Sequence, residues 1–206
     1  MNINANTTRL IRGTILRCTD GKWADGLGSP PPALLIALGT TQAIQCWKDS
    51  KPTDVVMAEK GKPLPDVDEL NSQIPQEEWE KGLDGKPKAP WVLQHIAYFI
   101  DPVSAESYTF INGTFGARIA VEKLADRVAN MQRLRGGNAL PVVKLESKPM
   151  KTKFGTKQRP EFTVVEWREI GANGGEVKAI EHQPVGKPVT QHTVAEELND
   201  EIPWLA

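Results

Sequence analysis

The sequence predicts a mainly β fold with one principal helix, an α+β class, and three observations carry that prediction. Short runs rich in β-branched and aromatic residues recur between clusters of Gly, Pro and Asp. One segment carries a clear helical period: Ala117, Val121, Leu124, Val128 and Met131 recur at spacings of four, three, four and three. Two long stretches, 48–90 and 171–206, are dominated by Pro, Gly and charge.

In chain order, Arg9 to Cys18 alternates apolar and polar residues around Ile11, Ile15 and Leu16 and reads as a strand. Asp20-Gly21 and Asp25-Gly26 are turn dipeptides with Trp23 between them, and Ser29-Pro30-Pro31-Pro32 breaks the chain. Ala33 to Trp47 predicts a long strand with a bend near Gly39. Residues 48–90 read as a loop-rich insertion, with short helical turns over Asp66 to Trp79 and Asp66 as a cap. Trp91 to Ile100 and Ser107 to Ile111 predict a hairpin joined through Asp101-Pro102-Val103-Ser104. The principal helix follows, with Asn112 or Thr114 at its start and Gly136-Gly137 at its end. Leu140 to Leu145 and Phe162 to Trp167 are the last strands, and the segment Lys148 to Arg159 connects them. A helix between the third-type and fourth-type strands of a small antiparallel β domain is the layout of an OB-fold-like antiparallel barrel. The expected organisation is one OB-like domain over 1–170, with its insertion at about 48–90, and a disordered linker and tail over 171–206.

The chain has 206 residues, 39% hydrophobic and 25% charged, with a formal net charge of −1. This excludes a collagenous, low-complexity or wholly disordered chain and a globally basic, histone-like protein. The longest apolar run, Ala33 to Leu38, is too short for the roughly 20 residues of a bilayer span. The start, MNINANTTRL, has no apolar signal core, and two cysteines make no disulfide framework, so the expected setting is a reducing cytoplasm.

Near-neutrality hides a strong asymmetry. Residues 114–160 hold eleven basic and three acidic groups, a net of +8. Residues 171–206 hold two and six, a net of −4. Within the cationic stretch, Lys144, Lys148, Lys151, Lys153, Lys157 and Arg159 surround Phe154, and Gly155 suits a hairpin tip. Lysines neutralise phosphates and an exposed aromatic offers a base a stacking surface, so this pattern points to single-stranded nucleic acid. Arg118, Arg127, Arg133 and Arg135 add charge on or near the helix, and Trp47 beside Lys48 is a further candidate for stacking. The competing reading is a solvated hairpin whose lysines protect an exposed edge.

The chain ends Glu196-Glu197-Leu198-Asn199-Asp200-Glu201-Ile202-Pro203-Trp204-Leu205-Ala206. Asp200, Glu201, Ile202, Pro203 and Trp204 resemble the acidic tip of bacterial single-stranded DNA-binding proteins, which reads acid, acid, Ile, Pro, Phe. The resemblance implies an OB-fold core, a flexible linker and a tip that recruits replication and repair proteins. The core, especially Asp101 to Trp167, resembles a group of phage and prophage proteins, for which single-stranded DNA binding is the implied role. Two departures stand out: Trp204 replaces Phe, and Leu205 and Ala206 carry the chain end past the aromatic that partners of that family grip by its carboxylate. The tip's chemistry stands by itself. Pro203 lowers the ordering cost, Ile202 and Trp204 are apolar anchors, and the carboxylates steer toward basic surfaces. The alternative is that these apolar residues dock on the chain's own domain.

No motif for a nucleotide, dinucleotide or acyl-transfer site occurs, and His95, His182, His192, Cys18 and Cys46 lack metal-ligand spacing. The sequence therefore predicts no enzyme, no cofactor and no metal. The expected function is to coat single-stranded DNA and recruit replication and recombination proteins through the tail. Two alternatives remain open: a protein-interaction or assembly factor without DNA binding, and a Mg²⁺-dependent nuclease built on Asp66, Asp68 and Glu69. Self-association is compatible with either binding role, and the sequence does not separate RNA from DNA.

Overall fold

A computed structural model describes residues 10–58, 61–82, 85–135, 138–152, 155–169 and 179–180. The first two strands, β1 (Thr14–Thr19) and β2 (Lys22–Ala24), form a hairpin. Its two-residue turn, Asp20-Gly21, has φ of 49° and 82°, the left-handed pair that a type I′ turn requires. The long β3 (Leu35–Lys48) is followed by β4 (Lys51–Met57) through a second two-residue turn, Asp49-Ser50, at φ of 51° and 59°. Next come α1 (Val67–Ser72), a 3-10 turn at Gln76–Glu78, and the two-residue strands β5 (Glu80–Lys81) and β6 (Pro87–Lys88). The hairpin of β7 (Trp91–Ile100) and β8 (Ser107–Asn112) leads into α2 (Phe115–Arg135). The last described elements are β9 (Ala139–Thr152), β10 (Gly155–Glu169) and the short β11 (Ala179–Ile180).

Among the described residues, nine strands form one sheet in the order β11-β10-β9-β3-β7-β8-β1-β2, with β4 also on β3. The sheet departs from the expected OB-fold-like antiparallel barrel in two respects. The sheet is mixed, because β1 pairs parallel with β8. It is also open, with β2 and β11 at its ends. The reason lies in β1: instead of lying beside β3, it docks on the free edge of β8, and Thr109 ties it there by donating to Arg12 O (2.7 Å) and accepting from Arg12 N–H (2.8 Å). The mainly β class with one main helix stands as expected. The bend in β3 is a register shift between Ala37 and Gly39. The insertion is smaller than the sequence suggests, because β4 belongs to the main sheet and buries Val55.

The main core joins Leu16, Leu35, Phe99, Phe110, Val143 and Phe162 from the sheet to Ala117, Ala120, Val121 and Leu124 from α2. The four helix residues fall on the stripe that the sequence period marks. Thr114 caps α2 by accepting the Ala117 N–H at 3.3 Å, and Asn112 in turn accepts the Thr114 N–H at 2.8 Å. Trp23 fills the space between sheet ends, with ring centroids 5.4 Å from Phe110 and 5.7 Å from Phe162. Its indole N–H donates to Glu146 O at 2.8 Å, which pins the β1–β2 hairpin against β9. Gly21 sits so close that a Cβ there would lie 2.9 Å from Ser147 Oγ.

A candidate nucleic-acid interface

The segment read as a basic connector is a two-stranded ribbon. β9 and β10 pair antiparallel from Ala139↔Glu169 out to Thr152↔Gly155. The register puts Lys144 opposite Thr163, Glu146 opposite Glu161, Lys148 opposite Arg159 and Met150 opposite Lys157. Successive residues of a strand point to opposite faces, so these eight share one face. Lys151, opposite Thr156, belongs to the other face, where Gly21 approaches Ser147 and Gln158. Lys153 and Phe154 lie outside the described residues, as does the whole tip Asp200, Glu201, Ile202, Pro203 and Trp204.

The first turns of α2 cover part of the lysine face. Gly116 permits this: a Cβ on it would lie 2.8 Å from Arg159 Cβ. Beneath the helix sits Glu161, whose side chain is 2% exposed. Lys123 from α2 and Lys148 from β9, the latter at 3.2 Å, both donate to its Oε1, and Arg159 donates to Oε2 at 2.6 Å. Burial alone raises a carboxyl pKa, but here the hydrogen bonds from Lys123, Arg159 and Lys148 outweigh it and bring Glu161 down to about 2. One buried anion thus gathers three cations, and the surplus charge faces outward through Lys123 and Lys148, 38% and 50% exposed.

The other candidates divide in two groups. Lys144 pairs with Glu146 at 3.3 Å, and Thr163 also donates to that carboxylate at 2.7 Å. These bonds hold Glu146 below the usual carboxylate range. Arg118 pairs with Glu122 at 3.0 Å across one exposed helix turn. Both pairs are solvent-exposed and contribute little to stability. Arg159 differs: its side chain is 14% exposed and its guanidinium is spent on Glu161 and on Pro160 O. It organises the face more than it presents charge. Lys157 and Lys151 are exposed.

Trp47 lies apart from the ribbon. It is half-buried near the end of β3, donates its backbone N–H to Pro90 O at 2.9 Å, and lines a groove of about 420 Å³ with Lys48, Asp49, Glu78, Glu80 and Lys88. Cations and carboxylates are mixed there. The acidic trio of α1 is built differently from a metal centre: Asp66 accepts the N–H groups of Asp68 (2.7 Å) and Glu69 (3.3 Å) as a helix cap. Among the described residues no three His, Cys, Asp or Glu side chains are grouped to hold a metal ion. Nor does any described helix have the length and apolarity to cross a membrane.

Sequence reasoning missed three residues of this face. Lys123 was hidden by its helical register, and Glu161 by its position just past the cationic stretch. Phe115, at the first position of α2, is 64% exposed. A local signal existed for it: an aromatic immediately after a capping Thr, outside the apolar stripe of the helix.

Comparison of the chain with protein-family models, with curated proteins and with solved structures finds no match.

Proposed function

We propose that this chain is a single-stranded DNA-binding protein that holds the strand along the β9–β10 ribbon and acts without catalysis. The observation that carries the reading is the alignment of Lys144, Lys148 and Lys157 on one ribbon face, beside Arg118 and Lys123 of α2. Those five cations supply the positive charge that the phosphates of a strand would meet.

The finer architecture is also a proposal. We read β3, β7, β8, β9 and β10 as the five strands of an OB-type fold. Support comes from their order, β10-β9-β3-β7-β8, and from α2 standing between the third and fourth of them. In this reading residues 49–90 are the loop after strand one, and the ribbon tip is the loop between strands four and five. Those are the two loops by which OB folds grip oligonucleotides. The β1–β2 hairpin occupies the gap where the fold would otherwise close. The tail, with Asp200, Glu201, Ile202, Pro203 and Trp204, is the proposed recruiter of replication and recombination proteins, in keeping with a phage- or prophage-type single-stranded DNA-binding protein.

Titration of a fluorescent oligothymidine with the full chain tests the reading: it expects binding at low salt that weakens steeply as salt rises. A protein-interaction or assembly factor is the second reading, favoured by the carboxylate partners that Arg118, Lys144, Lys148 and Arg159 already have. No affinity for DNA at low salt, together with a stable protein partner, would select it.

A further inference from the structure

We infer that Phe115 is a base-stacking residue and that the groove between it and Trp91 receives a nucleotide base from the strand held by the ribbon. This rests on the proposed nucleic-acid reading and adds a site to it. The groove, about 380 Å³, is bounded by Trp91, Val92 and Leu93 at the start of β7 and by Gly113, Thr114, Phe115 and Arg118 around the start of α2.

Five features converge. Phe115 leaves an aromatic ring 64% exposed, whereas Phe99, Phe110 and Phe162 are buried in the main core. An exposed ring beside Arg118, the one cation among the described residues that line the groove, is what a stacked base with its phosphate would cover. Its position is coupled to the phosphate-binding face, because the next residue, Gly116, rests against Arg159 Cβ and Met150 Cε of the ribbon. The opposite wall is fixed: Asn71, 6% exposed, donates to Trp91 O at 3.1 Å and accepts the Trp91 N–H at 2.9 Å, so α1 clamps the backbone of Trp91. Charge gives the polarity. Arg118 stands at the helix side of the groove and Asp68 at the α1 side, so the phosphates follow Arg118 toward Lys148 and Lys157 and the base turns inward. The groove floor carries His95, 3% exposed, with Gln42 Nε2 3.4 Å from its Nδ1. Burial lowers the His95 pKa, the Glu122 carboxylate opposing and the Arg118 guanidinium adding to that effect, so the ring stays neutral beneath a base.

The test uses the full chain and oligothymidine at fixed low salt, with Phe115→Leu and Phe115→Trp as the variants and circular dichroism melting as the control for folding. Phe115→Leu is expected to weaken binding about ten-fold without changing the salt dependence, since stacking and counterion release are separate contributions. Phe115→Trp is expected to restore it. If Phe115→Leu binds as the unaltered chain does, while Lys148→Glu with Lys157→Glu abolishes binding, the stacking site is wrong and the ribbon reading stands. An equal loss with both Phe115 variants, accompanied by a lower melting temperature, assigns Phe115 a structural role and also overturns the inference. If the unaltered chain binds no oligonucleotide, the stacking site falls together with the reading it rests on.

Discussion

The ribbon face and the Trp47 groove are two regions with the same ingredients, lysines beside an aromatic, and opposite electrostatics. In the groove, Lys48 and Lys88 are interleaved with Asp49, Glu78 and Glu80. On the ribbon, strand register collects Lys144, Lys148 and Lys157 on one face, and the buried Glu161 draws Lys123 and Lys148 together while leaving a positive surplus. A lysine next to an aromatic in sequence therefore does not by itself mark a uniformly cationic surface. What distinguishes the ribbon is that the fold aligns like charges and sets them over a single internal anion.

The largest effect expected from this contrast follows charge reversal. Lys148→Glu with Lys157→Glu should weaken oligothymidine binding on the order of 100-fold at low salt. It should also flatten the salt dependence, by about 0.7 in the logarithmic slope for each phosphate that the ribbon no longer neutralises. Lys48→Glu with Lys88→Glu, the matched change in the groove, should leave affinity within about two-fold. Equal losses would erase the distinction between the regions.

Next is the anion itself. Glu161→Gln leaves Lys123, Lys148 and Arg159 crowded without their counter-charge and should destabilise the fold by about 3 kcal/mol. For a domain of this size that lowers the melting temperature by about 6–12 °C. The pH dependence has a definite sign. Glu161 titrates lower in the folded chain, near 2, than its usual value of 4.5. Its contribution is thus full above about pH 4.5 and is lost as the pH falls toward 2. Acid unfolding of the Glu161→Gln variant should lack that component. An unchanged acid transition would mean that the cluster does not hold the ribbon to α2.

A smaller effect concerns the tail. Removing residues 196–206 takes away Glu196, Glu197, Asp200 and Glu201, and should tighten DNA binding several-fold at low salt, with the gain vanishing as salt rises. Unchanged affinity would show that the acidic tail does not compete for the ribbon. The smallest effect belongs to Trp47→Leu, expected to change affinity by less than about two-fold. A ten-fold loss there would move the interface into the groove.

Much of the scaffold was legible from local pattern. The Asp20-Gly21 turn, the Asp101 hairpin, the bend near Gly39 and the helix with its Thr114 cap all depend on residues close in sequence. What could not be read was long-range pairing. The docking of β1 on β8 joins residues more than ninety positions apart through Thr109 and Arg12, and nothing local in either segment specifies a parallel edge. The division of the lysines has the same origin. Lys151 and Lys157 look equivalent in sequence, yet register with Thr156 and Met150 sends them to opposite faces. Arg159 reads as surface charge, but only the fold reveals that Glu161, two residues on, is buried and consumes its guanidinium.

The most direct test is the salt dependence of oligothymidine binding by the unaltered chain. With three to four phosphates neutralised by the ribbon and α2, the account predicts a logarithmic slope of about −2 to −3. Absence of binding at low salt, or affinity that does not respond to salt, would contradict it.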